Sequence, residues 1–250
     1  MIDAHAHLLP DYVKNIDILL KNARRANLKA IVNCAIELHQ FEFARQLDEE
    51  NNDFIFTTLG FAPQRIKDLN YTDTVNSIQK FPSIVAVGEI GLDYHWVTDS
   101  FWQKKQKEAF ISLIDLANTL MKPIVVHSRK AETDCIDLLI KHAEQPVLMH
   151  CFAGNMNETE RVIDQGWIIS IPTAVVNRKK HRKIARKIPL ENIVVETDTP
   201  YLSPIPGRRN EPANVRYAIE EIAKIKEIPI KVIDKVSTQN SLDFYRINRG

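Results

Sequence analysis

The stretch Ile84-Val85-Ala86-Val87-Gly88, followed directly by Glu89, shows the pattern from which this chain is built. A short run of β-branched and small apolar residues is typical of a strand buried on both faces, as in a parallel sheet. Longer segments with a helical spacing of apolar residues separate this run from others like it. The other runs cover residues 2–7, 29–35, 54–59, 123–127, 147–150, 167–171 and 193–197.

Alternating strands and helices in this number predict an α/β fold, a closed (β/α)8 barrel of the TIM type. A length of 250 residues suits one such barrel, and no Gly/Ser-rich linker divides the chain, so we predict a single domain over residues 1–250. Residues 231–245 predict an amphipathic C-terminal helix that packs through one side, on or near which lie Val232, Ile233, Val236 and Phe244.

The composition excludes several classes of protein. Hydrophobic residues make up 44% of the chain, enough for a large core, and the net charge of +1 gives no overall attraction for nucleic acid. Cys34, Cys135 and Cys151 lack CxxC spacing, which argues against a disulfide framework or a thiolate metal cluster. The N-terminus lacks signal-peptide features and no run approaches a membrane span, so we expect a cytoplasmic protein without membrane contact.

The first strand carries two histidines on one face. Residues two apart in a strand share a side, so Asp3, His5 and His7 project together while alanines fill the other side. Neutral imidazoles placed in this way suit Zn, Mn, Fe or Co. Taken alone, the pair is more typical of two hydrogen-bonded histidines of the core or surface.

Four more polar residues follow apolar strands at the point where each strand ends: Glu89, His127, His150 and Asp198. In a barrel these ends surround one mouth, and unpaired charges are rarely buried there without a function. Four histidines and two carboxylates exceed the needs of one four-coordinate site. They predict two divalent metal ions (Mg, Mn or Zn) about 3.5–4 Å apart, with Glu89 as the bridge.

Two further carboxylates are expected just beneath these groups. By strand parity Glu196 lies below Asp198, and Asp3 lies below His5. Either carboxylate could accept the second ring N–H of a ligand histidine and so fix its tautomer. An ion pair with a buried Lys or Arg is an equally good alternative.

These residues sit in motifs that resemble the TatD family of metal-dependent deoxyribonucleases, among the amidohydrolase-type barrel enzymes. The matching segments follow the family's order along nearly the whole chain and cover residues 2–8, 87–94, 123–129, 150–154, 196–204 and 208–212. The resemblance implies that DNA phosphodiester bonds are cleaved, often exonucleolytically, with a divalent cation. It also implies one metal held by His5, His7, Glu89 and Asp198, and another held by Glu89, His127 and His150.

The chain departs from the family pattern at three places without losing any of these ligands. Ala62 stands where many members have a histidine, His95-Trp96 follows Tyr94 in place of a second tyrosine, and Ile171-Pro172-Thr173 ends the seventh strand without a glycine. Each departure bears on substrate preference.

Basic and aromatic residues near the predicted mouth point to nucleic acid as substrate. Residues 177–187 hold seven Lys and Arg and no acid, in a loop region that often binds phosphate in barrels, although a basic helix face is usually only solvated. Aromatic residues between 94 and 102 could stack unpaired bases or simply cover the core. The predicted substrate-binding residues are Arg129, Tyr94, Arg208, Arg209, Asn210 and Glu211.

The leading hypothesis is an ester-bond hydrolase, most simply an exonuclease acting on single-stranded DNA or a DNA end. The metals would activate a water molecule, Asp198 would orient or deprotonate it, and an arginine such as Arg129 would offset phosphate charge. One alternative is an amide or ester hydrolase, such as an aminoacyl-tRNA deacylase. Another is a nucleic-acid-binding protein without turnover, which the intact ligand set opposes. No stable protein partner is expected.

Overall fold

Eight parallel strands in chain order form the centre of the fold, as a computed structural model of residues 1–247 shows. The last three residues of the predicted domain, 248–250, lie outside the described part. The strands are β1 (Ile2–Ala6), β2 (Ala30–Ala35), β3 (Ile55–Leu59), β4 (Ala86–Asp93), β5 (Ile124–Arg129), β6 (Val147–Met149), β7 (Ile168–Pro172) and β8 (Ile193–Glu196). Each lies within a few residues of its predicted position.

The sheet closes between its first and last strands just beyond the end of β8. Ala6 forms a parallel bridge with Thr199, and the His7 N–H donates to the Thr199 carbonyl at 2.8 Å. The Asp198 N–H donates to the His5 carbonyl at 3.0 Å. The closure therefore joins the two segments that carry three of the predicted metal ligands, and the predicted (β/α)8 barrel is confirmed.

Helices cover the outside of the barrel. They are α1 (Ile16–Arg25), α2 (Leu38–Glu50), α3 (Tyr71–Ile78), α4 (Ser100–Thr119), α5 (Glu132–His142), α6 (Met156–Asp164), α7 (Lys179–Lys187), α8 (Val215–Lys226) and α9 (Ile230–Tyr245). Each of α1 to α7 connects two consecutive strands, and α8 and α9 follow β8. In this part of the chain no helix is both long and apolar enough to cross a bilayer.

The C-terminal helix closes the end of the barrel opposite the predicted mouth. Phe244 and Tyr245 pack on inward-facing residues near the amino ends of the strands, including Ala4 and Val194. The Tyr245 hydroxyl donates to the Ala4 carbonyl at 2.8 Å. The predicted packing helix is confirmed, except that Val232 is 40% exposed and does not belong to the packed side.

Strands β4 and β5 are longer than the sequence pattern predicts. The sequence pattern predicts that they end at Gly88 and His127. In the structure Gly91 pairs with His127 and Asp93 pairs with Arg129. A register shift between Gly88 and Ile90 interrupts the ladder at Glu89. A side chain at residue 91 would collide with the His127 carbonyl, so the close approach of the two strands requires Gly91. This extension carries several polar side chains up to the mouth.

Candidate metal centre

The two histidines of β1 face each other across the centre of the barrel mouth. Their Nε2 atoms lie 3.3 Å apart. Both atoms also face Oε2 of Glu89, at 3.2 Å from His5 and 3.8 Å from His7. His5 and His7 are two residues apart and so share a side of the chain, although a register shift between Asp3 and Ala6 interrupts the regular alternation of β1.

Glu89 lies between two groups of histidines. Its Oε1 is 2.8 Å from Nδ1 of His127, whereas its Oε2 faces the β1 histidines and lies 3.9 Å from Nε2 of His150. The main chain of Glu89 is also fixed, by one residue of β2 and one directly after β3. Its N–H donates to Sγ of Cys34 at 3.1 Å, and Gly60 lies so close to its backbone that a Cβ there would collide. The two oxygens are thus placed as a bridging carboxylate needs.

Asp198 approaches the same centre from the turn after β8. Its Oδ1 lies 3.5 Å from Nε2 of His7, 3.8 Å from Nε2 of His150 and 4.0 Å from Nε2 of His5. The residue has φ 56°, in the left-handed region that few non-glycine residues adopt. Such backbone strain often marks functional sites. Its side chain is 14% exposed, so it faces both the histidines and the open mouth.

Three of the four histidines are held by a partner on the ring nitrogen that faces away from the centre. His7 Nδ1 donates to the Cys34 carbonyl at 2.9 Å, and His150 Nδ1 donates to Oε2 of Glu196 at 2.8 Å. His127 Nε2 donates to Oδ2 of Asp93 at 3.1 Å. These contacts leave a lone pair on the inward nitrogen of each ring, which is the arrangement that metal-binding histidines require. The donor set therefore fits divalent metal ions, with the same six residues that were predicted.

The electrostatics of the centre favour positive charge. Burial by itself would raise the pKa of Glu89, but the His127 and His150 rings beside it hold that pKa well below its usual value. Burial would likewise raise the pKa of Asp198, and its hydrogen bond with His7 and the charge of His150 lower it instead. Both carboxylates are therefore held in the ionised form that a metal ligand needs. Burial opposes charge on His150, yet Glu196 raises its pKa to about 10, so protons and metal ions compete for this centre.

Of the two carboxylates expected beneath the predicted ligands, Glu196 meets the ring of a histidine within residues 1–247, whereas Asp3 meets His5 only through its backbone N–H, at 3.4 Å. Besides His150, Glu196 accepts a hydrogen bond from the Ser170 hydroxyl. Asp3 instead accepts the N–H of Thr197 at 2.8 Å and its hydroxyl at 2.6 Å. Neither expectation for Asp3, a histidine-ring partner or an ion pair, is met. This carboxyl fastens the turn after β8 to β1, because the barrel closes at that point.

Sequence reasoning missed Asp93, a buried carboxylate that supports the centre. Besides His127, it accepts the N–H groups of His95 at 2.9 Å and Trp96 at 3.0 Å through Oδ1. The signal was present, since Glu89, Gly91 and Asp93 alternate along one strand. It was lost because β4 was expected to end at Gly88.

Two clefts open from the metal centre and share several of its residues. The first, called here the aromatic cleft, has a volume of about 430 Å³ and is lined by Tyr12, Trp96 and Tyr201 among others. The second, called the basic pocket, has a volume of about 240 Å³. It is lined on its outer side by Ser128, Glu132, Cys151, Arg178 and His181. The residues common to both clefts are His127, Arg129, His150, Asp198 and Leu202.

Arg129 is the predicted substrate-binding residue that the structure brings to the mouth. It lines both clefts, and its guanidinium lies 5.7 Å from the centre of the Trp96 ring. Tyr94 is a correction: its hydroxyl donates to Asp134 of α5 at 2.6 Å, and its ring lines neither cleft as the structure describes them. Successive residues of the extended strand point to opposite sides, so Tyr94 faces the helix layer while Asp93 faces the mouth.

The segment after β8 folds against α1, and two of its predicted substrate-binding residues are used for hydrogen bonds within the scaffold. Asn210 is 2% exposed and donates to Thr173 Oγ1 and the Thr197 carbonyl. Glu211 accepts from Asn22 of α1 at 2.8 Å. The Arg209 guanidinium donates to the Tyr12 carbonyl, and exposed Arg208 lines neither cleft of the described chain. Asn210 and Glu211 therefore support the scaffold, whereas Arg209 stays beside the aromatic cleft through Tyr12, and a role of Arg208 and Arg209 in substrate binding remains a prediction.

Comparison with known proteins agrees with this geometry. A family model described as TatD related DNase matches residues 2–246. The chain is 32% identical over 257 residues to the uncharacterized metal-dependent hydrolase YabD of Bacillus subtilis, covering 99% of this chain and 100% of that protein. It is 33% identical over 259 residues to Deoxyribonuclease TATDN3 of Homo sapiens, covering 98% and 94%.

A solved structure shows the same fold. The TatD homolog YJJV of Escherichia coli superposes with a TM-score of 0.89 at 22% sequence identity, over 99% of this chain and 98% of that one. The family match extends over every strand and over all six residues of the metal centre. This chain belongs to the TatD family of metal-dependent hydrolases.

Proposed function

We propose that the protein is a deoxyribonuclease that hydrolyses DNA phosphodiester bonds, as an exonuclease on single strands or strand ends. The observation that carries the proposal is the position of Arg129 between the metal centre and the aromatic cleft. Phosphate charge and exposed bases occur together in single-stranded nucleic acid. The printed name of the human relative, a deoxyribonuclease, supports the choice of DNA.

The aromatic cleft offers a surface for unpaired bases. The Trp96 side chain is 65% exposed and the Tyr201 side chain is 52% exposed, and both rings line this cleft. Tyr12 packs edge-on against Tyr201, with ring centres 6.3 Å apart, and so supports it. Stacking on such rings requires bases that are free of a complementary strand, which favours single strands or frayed ends.

The residues of the metal centre have separable roles in this reaction. His5, His7, Glu89 and Asp198 would hold one metal ion, and Glu89, His127 and His150 a second. Bound divalent ions lower the pKa of water and polarise phosphoryl oxygens. Asp198 is ionised and partly open to the mouth, so its carboxylate can accept a proton from the attacking water. Arg129 offsets the charge that develops on the phosphate.

Purified protein incubated with end-labelled single-stranded DNA and Mg²⁺, Mn²⁺ or Zn²⁺ tests the proposal. We expect shortening of the strand from one end, abolished by a chelator and reduced more than about 100-fold in Glu89→Ala, because even partners of metal ligands contribute 10–100-fold. Glu191→Ala, at an exposed position, is the matched control.

Three results would overturn the proposal. One is equal nuclease activity in the wild type and in Glu89→Ala. Another is rapid hydrolysis of aminoacyl-tRNA or a simple ester while DNA stays intact, which would assign the site to acyl transfer. The third is DNA binding without turnover under every metal ion supplied.

A further inference from the structure

The basic pocket contains two buried polar side chains that the metal centre does not use. His181, in the first turn of α7, is 2% exposed, and neither of its ring nitrogens has a hydrogen-bond partner among residues 1–247. Ser128, on β5, is 7% exposed, and its hydroxyl is also without a partner in that range. Unsatisfied buried donors and acceptors cost free energy and are rare, so both groups call for a ligand.

His181 is suited to hydrogen bonding in its neutral form. Burial, together with the charge of Arg178, lowers its pKa to about 4. A neutral imidazole offers one N–H donor and one acceptor. The Cys151 backbone approaches the ring closely enough to raise its pKa as a weak hydrogen bond would, but the contact lacks the geometry of a full hydrogen bond. His181 lies with Ile184 and Ala185 on the buried side of α7, and its ring also lines the pocket.

The charges around the pocket favour an anion. Arg129 and Arg178 both line it, and α7 begins there without a side-chain cap among the described residues. Uncapped N–H groups at the start of a helix add a partial positive charge. Glu132 and Asp198 are the opposing groups. Burial raises the pKa of the Glu132 carboxyl, which weakens its charge, and Asp198 faces the histidines of the metal centre. Two guanidinium groups, the start of α7 and two neutral donors therefore outweigh these two carboxylates, of which only Glu132 lies away from the metal centre.

We propose that the basic pocket binds a phosphate group of the nucleic acid next to the phosphodiester being cleaved, an inference that rests on the proposed nuclease function. The pocket and the aromatic cleft meet at His127, His150 and Asp198. A strand whose scissile phosphate lies at the metal centre then has bases on one side, in the aromatic cleft. On the other side it has a phosphate against Arg178 and His181. That phosphate is either an internal diester or a terminal monoester.

Short thymidine oligonucleotides show whether the bound phosphate is an internal diester or a terminal monoester. The dinucleotide TpT is compared with pTpT and TpTp, which add a terminal phosphate at either end, and with TpTpT, which adds an internal one. We expect one of these additions to lower KM about tenfold in the wild type, the value of one hydrogen bond to a charged group. The gain should disappear in Arg178→Ala and in His181→Asn, and should persist in Lys183→Ala, which removes an exposed charge of the same helix.

Binding of inorganic phosphate to the chelator-treated protein tests the pocket without turnover. Titration followed by the ¹⁵N signals of the His181 ring should show saturable shifts. The Kd should rise about tenfold in Arg178→Ala and remain unchanged in Lys183→Ala. Arg178 is exposed, so its variant should fold even if His181→Asn does not.

The two experiments separate failure of the inference from failure of the proposed function. If phosphate binding depends on Arg178 but no DNA is hydrolysed, the basic pocket is a phosphate site and the proposed nuclease function is wrong. DNA hydrolysis with the same phosphate preference and the same phosphate Kd in the wild type and in Arg178→Ala would reject the pocket. Absence of saturable phosphate binding in the wild type would also reject it.

Discussion

At the scale of single residues, the centre depends on carboxylates behind the metal ligands as well as on the ligands. Glu196 and Asp93 each hold one histidine ring by the nitrogen that faces away from the centre. Asp3 has a similar place in the sequence pattern. It instead accepts hydrogen bonds from the N–H and the hydroxyl of Thr197, directly after β8. Strand parity placed Asp3 and Glu196 on the correct face, but which neighbour each one meets depends on strands that are distant in sequence.

Asp93→Asn should weaken metal binding while leaving the fold intact. The amide oxygen can still accept from His95 and Trp96, but an NH₂ group facing His127 Nε2 would force the ring proton onto Nδ1, which faces Glu89. We expect the affinity for Mn²⁺ or Zn²⁺ to fall about 10–100-fold, as for other partners of metal-binding histidines. Calorimetric metal titration measures this affinity.

Asp115→Asn, on the exposed side of α4, makes the same change of charge and is the control. An unchanged metal affinity in Asp93→Asn would show that this carboxylate does not set the His127 tautomer.

At the scale of secondary-structure elements, the close pairing of β4 and β5 beyond Gly88 positions several side chains of the candidate metal centre at the mouth of the barrel. Glu89, Asp93 and His127 all lie on this extension. The extension depends on Gly91, because a larger residue there would meet the His127 carbonyl. The glycine interrupts the β-branched pattern, so the sequence predicts the end of a strand where the structure continues it.

Gly91→Ala should therefore disrupt both stability and metal binding. The added methyl group must displace His127, and we expect a loss of about 1–3 kcal/mol in the free energy of unfolding, with a clear loss of metal affinity. Gly207→Ala is a matched control. Gly207 also has a positive φ, 73°, but a Cβ there meets nothing within 4 Å, so only backbone strain is added.

Denaturant unfolding and metal titration of both variants separate steric displacement from backbone strain. If Gly207→Ala lost as much metal affinity as Gly91→Ala, the contact with His127 would not explain the effect.

At the scale of the whole molecule, the two ends of the barrel serve different purposes. The carboxyl end carries the metal centre and both clefts, whereas α9 packs on the amino end through Phe244 and Tyr245. In barrel enzymes, residues at the carboxyl end determine activity and those at the amino end determine stability. The same separation is expected here because the barrel interior lies between α9 and the mouth.

Phe244→Ala should lower stability without changing the metal centre. Truncation of a buried phenylalanine costs about 3–5 kcal/mol in the free energy of unfolding. Metal affinity per folded molecule should stay as in the wild type. Val232→Ala, on the exposed side of the same helix, should change stability by less than about 0.5 kcal/mol. A loss of metal affinity in folded Phe244→Ala would contradict the separation of the two ends.

The sequence by itself determined the strand and helix order, the barrel, and which six side chains converge at the candidate metal centre. Strand alternation and strand ends are local properties, and the closed barrel brings all strand ends to one mouth. Only the tertiary structure decided that Asp93 supports His127, that Tyr94 and Glu211 bond to helices α5 and α1, and that His181 faces a pocket. These contacts join residues on different elements, and their outcome depends on loop paths and side-chain packing that no local pattern encodes.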